Sequence, residues 1–190
     1  MFQKIFITVF TLFVTAAHAT WELDSTQSTL NFVSTKKATV GEVSTFNSYN
    51  GSISAEGGVE LEIDLSSVNT NIGIRDERMS KFLFQTDMYP TATLTGNVSL
   101  DSAKGLTPGQ SEKQTVELSL KLHGVSSMVN AEVNVIATER GYLVYNIKPV
   151  LLNANNFNLN EGIDKLKDLA KLDSISLAIP VNFSFQFIKK

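Results

Sequence analysis

Residues 175–187 read Ile175-Ser176-Leu177-Ala178-Ile179-Pro180-Val181-Asn182-Phe183-Ser184-Phe185-Gln186-Phe187, with an apolar side chain at every odd position and Ser176, Asn182, Ser184 and Gln186 between them. A period of two marks a β-strand with one buried and one wet face. A slip of one residue would turn every side chain to the wrong face, so the register of this strand is well specified. Three further segments alternate as clearly. Val59, Leu61, Ile63 and Leu65 interleave with Glu60, Glu62 and Asp64; Val116, Leu118, Leu120 and Leu122 with Glu117, Ser119 and Lys121; Val129, Ala131, Val133 and Val135 with Asn130, Glu132 and Asn134.

Weaker strands are expected over Leu30–Ser34, Val43–Phe46 with Gly51–Ser54, Ala92–Leu100 and Tyr142–Leu151, which brings the count to about eight. Glu56-Gly57-Gly58, Lys104-Gly105-Leu106-Thr107-Pro108-Gly109 and Glu139-Arg140-Gly141 read as connections by their Gly and Pro content, and Asp101–Lys113 as a flexible tip. Two segments change period. Met79, Phe82 and Leu83 within Asn71–Phe84, and Ile163, Leu166 and Leu169 within Gly162–Leu172, are spaced as on short helices that cover one end of the molecule. Amphipathic strands in this number favour an all-β, eight-stranded antiparallel barrel with one or two short helices, because closure removes exposed sheet edges. A two-sheet sandwich is the alternative arrangement of the same strands.

The chain opens with Lys4, an apolar run from Ile5 to Val14, and Ala17-His18-Ala19. A basic start, a short apolar stretch and a small-x-small site form a secretory signal peptide over residues 1–19, leaving one domain over 20–190 and an expected location in the periplasm. The apolar run is too short to span a bilayer, so no integral membrane segment is expected. Removing Lys4 takes the formal charge from −3 to −4, and no run of Lys or Arg interrupts the acidic balance. Nucleic acid and anionic membrane are therefore poor partners. Cysteine is absent, which excludes disulfides and a lipid-modified cysteine after the signal.

Chemistry-bearing residues do not gather. The expected domain keeps a single histidine, His123, read as a surface residue near a loop, so a histidine- or cysteine-rich metal site is excluded. Ser126 and Ser127 lack the flanking glycines of a nucleophile elbow. Glu60 and Glu62 share a strand face that is more simply solvated, and Gly57-Gly58 lacks the Lys and Ser/Thr of a phosphate cradle. No catalytic residues, metal or cofactor are expected.

Several stretches nevertheless carry a pattern. Trp21, Asp24, Ser28 and Phe32 in the opening segment, the Phe46-Asn47-Ser48-Tyr49-Asn50-Gly51 turn, Ser67, Val68, Thr70, Arg75 and Asp76, then Tyr89-Pro90, and Leu122-His123-Gly124-Val125 together resemble the YceI-like, polyisoprenoid-binding family of exported bacterial proteins. Leu94 departs from that pattern, which often has Phe shortly after Tyr-Pro. The resemblance implies a lipocalin-like barrel with a long apolar cavity that holds an isoprenoid, quinone or other lipid-like molecule. On that reading the candidate ligand contacts are Phe32, Phe46, Arg75, Phe82, Leu94, Phe183 and Phe185. The phenylalanines could equally fill a solid core, since an eight-stranded barrel is wide enough either to be packed or to hold one small ligand. Arg75 and Asp76 could orient a head group at the mouth or brace the fold internally. An apolar tail burying about 400 Å² gains roughly 10 kcal/mol at about 25 cal/mol per Å², against association costs of about 4–15 kcal/mol. An enzyme or redox partner acting on such a molecule, and a stress-protective protein with a filled barrel, are the alternatives.

Overall fold

The computed structural model describes residues 20–190, and its backbone closes into an eight-stranded antiparallel barrel. The wall is made of twelve hydrogen-bonded segments: β1 Trp21–Leu23, β2 Thr29–Lys36, β3 Val40–Phe46, β4 Tyr49–Ile53, β5 Gly58–Asp64, β6 Val68–Asn69, β7 Thr91–Asn97, β8 Ser111–Leu122, β9 Val125–Thr138, β10 Gly141–Asn146, β11 Val150–Asn153 and β12 Ala178–Lys189. Four pairs of consecutive segments act as single bent wall strands: β1 with β2, β3 with β4, β5 with β6, and β10 with β11. Each wall strand pairs with its chain neighbours, and β12 closes the ring by pairing with β1 (Trp21↔Lys189) and β2 (Val181↔Phe32).

Polar side chains bridge the breaks. Between β1 and β2, the Asp24 carboxylate accepts from the Thr26 amide at 3.1 Å, while Ser28 Oγ donates to the Asp24 carbonyl and accepts from the Gln186 amide of β12 at 2.9 Å. Where β10 gives way to β11, the Asn146 side-chain oxygen accepts from the Phe183 amide at 2.7 Å. These bonds stand in for the missing ladder, because a buried backbone donor left unpaired costs about as much as a lost hydrogen bond.

The four clearest alternations face as their sequences dictate. Leu61, Leu118, Leu120, Val133, Phe185 and Phe187 are buried, whereas Glu60, Glu62, Glu117, Lys121, Asn130 and Glu132 are exposed. This polarity, apolar inside and charged outside, is the reverse of a membrane-spanning barrel. Among the described residues no helix is long and apolar enough to cross a membrane. The signal-peptide reading falls on residues outside those described.

Several boundaries differ from expectation. The last strand begins at Ala178, and Ile175 contributes an isolated bridge to Lys36. The short segments β1 and β6 carry too few residues to show a period. Asp101–Lys113 is mostly exposed but is anchored by Ala103, which is 3% exposed and whose carbonyl accepts from the Tyr142 hydroxyl at 3.2 Å, and β8 already starts at Ser111. The segment folds back as a plug at the barrel end formed by the β4–β5 and β9–β10 turns.

The long connections after β6 and β11 lie at the opposite end, as the up-and-down order of the strands requires. The first contains α1 (Gly73–Arg78), which continues as a π-helical turn over Met79–Phe84; the second contains α2 (Asn160–Leu169). Gly162 of α2 lies against that turn so closely that a Cβ would stand 2.7 Å from the Phe82 carbonyl oxygen and 2.8 Å from Leu83 Cα. The absent side chain is what lets the two helical segments pack together over the barrel.

Candidate ligand-binding cavity

The inward faces do not meet in the middle. They enclose a cavity of about 550 Å³ that runs from Leu100 and Ala103 at the plugged end to Lys36, Glu42, Arg75 and Arg78 at the helix-bearing end. Its volume falls within the range of about 300–1,000 Å³ usual for small-molecule sites. Aromatic rings form much of one side. Phe183 stacks on Phe185 with centroids 4.8 Å apart, Phe32 lies 5.4 Å from Phe46, and Phe46 lies 5.8 Å from Phe84.

Phe32, Phe46, Leu94, Phe183, Phe185 and Arg75 all line this cavity. Phe82 does not, so the cavity wall does not bring it together with the other candidate contacts. The π-helical turn directs Met79, Leu83 and Phe84 into the core, and Phe82 falls on the other face. There its ring lies 5.4 Å from Lys81 Nζ and 5.8 Å from Lys165 Nζ. Helical spacing alone grouped Phe82 with its neighbours; the wider turn separates them.

Charge is gathered at the helix-bearing end. In β2 the even positions Leu30, Phe32, Ser34 and Lys36 line the cavity, and in β3 so do Glu42 and Phe46, so the alternation that buries the phenylalanines also carries Lys36 and Glu42 inward. The Glu42 carboxylate accepts from Lys36 Nζ at 2.8 Å and from Arg75 Nη1 at 2.6 Å. The Lys36 hydrogen bond, with the charges of Arg75 and Lys36, holds the Glu42 carboxyl below its ordinary pKa against the opposing effect of burial. Asp76 is engaged elsewhere, accepting from the Thr70 amide at 2.8 Å and the Thr70 hydroxyl at 2.5 Å. Arg75 and Asp76 thus each brace the fold through a separate partner, not through one another. Arg78 was not among the candidates, yet it lines the same end, half-buried, with no side-chain hydrogen bond or ion pair among the described residues. Its position on α1, one turn after Ile74, was the signal available in the sequence.

His123 also differs from expectation. It occupies the tight turn between β8 and β9 with φ of 50°, its ring lies 4.5 Å from that of Tyr89, and both ring nitrogens are buried without a hydrogen-bond partner among the described residues. The surface reading failed because the connection after α1 returns Tyr89 over this turn. His123 is not part of the cavity wall.

A search of the solved structures found a polyisoprenoid-binding domain from Saccharophagus degradans implicated in plant cell wall breakdown, which is 39% identical over 90% of this chain and 98% of that one, with a TM-score of 0.87. BcnA of Burkholderia cenocepacia shares the fold, with a TM-score of 0.63 and 16% identity over 86% of this chain and 98% of that one. A search of curated proteins found no match. The profile of the YceI-like domain matches residues 21–187, spanning the barrel from β1 into β12, and on that extent of match the chain belongs to the YceI-like domain family.

Proposed function

We propose that this protein binds a long hydrophobic molecule of the isoprenoid, quinone or lipid class, taken lengthwise into the barrel, and that it does so as an exported protein of the periplasm. The observation that carries the reading is the axial cavity, apolar along its wall and charged at one end. The 39% identity to a polyisoprenoid-binding domain supports the same class of ligand. Burial of an apolar chain supplies the affinity, and its magnitude depends on how completely water is excluded along the wall.

A holding role is favoured over a catalytic one by the position of His123. Its ring packs on Tyr89 outside the cavity wall, where it cannot serve as an acid or base toward a molecule in the barrel. Mass spectrometry of an organic extract from protein purified in its native host tests the binding role. A stoichiometric long-chain isoprenoid or lipid is expected. A lipid-free protein that also refuses an added apolar fluorophore would refute the reading and favour a filled barrel.

A further inference from the structure

The wall is left unzipped between β7 and β8. Along its whole length β7 pairs with β5, but it meets β8 only where Thr93–Thr95 lie opposite Ser119–Lys121, although β8 begins at Ser111. The two strands still touch at Gly96, where a Cβ would stand 2.6 Å from Leu118 Cδ2. Beyond that point they part, and Ser111–Glu117 pair with β9 alone. A recess opens on the outside of this seam, lined by Asn97, Ser102, Thr115 and Glu117. Val98, Ser99, Gln114 and Val116 line both the recess and the axial cavity, so the same residues face the ligand space and the exterior.

Only the plug closes this seam. Among the described residues no backbone hydrogen bond joins it to β8; its own backbone bonds are local, from Lys104 to Leu100, Gly105 to Ser102 and Leu106 to Ala103. Across the seam it is held by side chains: Ser102 Oγ donates to the Glu112 carboxylate at 2.7 Å and accepts from Gln114 Nε2 at 3.4 Å, both exposed. On one side the plug is pinned, since the Val98 amide donates to the Gly57 carbonyl at 2.9 Å; on the other, Gly105 and Gly109 have open space around them. Segments with few buried contacts and solvent-exposed hydrogen bonds open at the least cost. The helix-bearing end is bound more firmly, by the Lys36–Glu42–Arg75 ion pairs, by Asp76 on Thr70 and by the close packing of Gly162. We propose that the β7–β8 seam is a lateral entrance to the cavity, through which an apolar chain passes when the plug swings away from β8. This rests on the reading of the barrel as a holder of long apolar molecules and adds the route by which they enter and leave.

The test locks the plug to β8. The chain has no cysteine, so Ser102→Cys with Glu112→Cys introduces a single pair, at positions outside the axial cavity wall. The pair is closed by oxidation or, if the thiols do not meet, by a short bismaleimide, and mass spectrometry verifies closure. Stopped-flow fluorescence then follows uptake and release of all-trans-retinol, a neutral fluorescent isoprenoid, by the delipidated protein with the pair open and closed. A gate on the only path slows entry and exit alike, so closure should lower both rates by about tenfold or more and leave Kd within about twofold. Rates that do not move on closure overturn the proposal, as does a loss of affinity with an unchanged association rate, which would mark a distorted cavity. If the double variant does not fold, Ser102→Ala carries the test: losing both bonds across the seam should raise both rates by about threefold, and unchanged rates overturn the proposal. Failure of the binding role is distinguishable, because retinol is then taken up by neither the open nor the closed form.

Discussion

The Arg75 guanidinium donates to the Glu42 carboxylate at 2.6 Å, joining α1 to β3 across 33 residues of chain. With Lys36 on the other carboxylate oxygen, this places a three-membered ionic clasp at the edge of an otherwise apolar cavity. The clasp fixes the helical cap to the barrel rim.

The clasp predicts an acid dependence whose sign follows from Glu42. Its pKa is lowered in the folded protein, chiefly by the Lys36 hydrogen bond, so its contribution to stability is fully present above the ordinary carboxylate range and is lost as pH falls through that range to the lowered value. Glu42→Gln should therefore lose stability at neutral pH, by about 1 kcal/mol, and show a shallower decline on acidification. Urea unfolding at neutral and acidic pH measures both. An unchanged pH slope in the variant would mean that Glu42 does not supply this dependence.

Much of this arrangement could be read from the chain, and the limits have physical causes. Strict alternation in β5, β8, β9 and β12 set the inward faces because one-residue slips are prohibitive there. The same alternation, followed two steps past Phe32 through Ser34, carries Lys36 inward, where it pairs with Glu42 of the neighbouring strand. Phe82 falls away from the cavity wall because the 3.6-residue period does not hold through a π-helical turn. Arg78 emerged only when the partners of Glu42 and Asp76 were known, since pairing among charges is a tertiary property.

Gly162→Ala should destabilise the protein by about 1–3 kcal/mol, the usual cost of overpacking. The added methyl would meet the Phe82 carbonyl and Leu83 Cα at distances that backbone atoms must move to relieve. Denaturant midpoints report the change, and a wild-type midpoint would show that α2 shifts freely over the turn.

Phe82→Ala should leave uptake of an apolar fluorophore within about twofold of wild type, because the ring lies outside the cavity wall against Lys81 and Lys165. Phe183→Ala removes a ring that stacks on Phe185 within the wall, and uptake should weaken by about tenfold or more if the tail packs there. Fluorescence titration of both variants makes the comparison. A larger effect at Phe82 would place the ligand under the helices.

Export with cleavage after Ala19 predicts that protein recovered from the periplasm begins at Thr20, since Ala17 and Ala19 supply the small residues that signal peptidase requires. Intact-mass measurement of the periplasmic fraction checks it. Recovery of a form that retains Met1 would contradict the assignment.

Adjacent positions on β7 give the sharpest test of an axial ligand. Leu94 lines the cavity and pairs across to Leu61 and Leu120, while Thr95 is exposed on the outer face opposite Glu60 and Ser119. The same substitution can therefore be placed on either side of one wall strand. Leu94→Lys puts an ammonium group among apolar side chains, and a charge there disfavours an apolar tail by several kcal/mol or gives up its proton. Thr95→Lys leaves the charge in water beside Glu60, with an expected effect on stability within about 0.5 kcal/mol. Leu94→Lys should abolish fluorophore uptake and Thr95→Lys should not, and circular dichroism establishes that each variant retains the barrel. Should Leu94→Lys unfold, Leu94→Thr carries the comparison, because its hydroxyl weakens apolar contact with a smaller folding cost. Equal uptake by folded inward and outward variants would show that the ligand does not occupy the barrel axis.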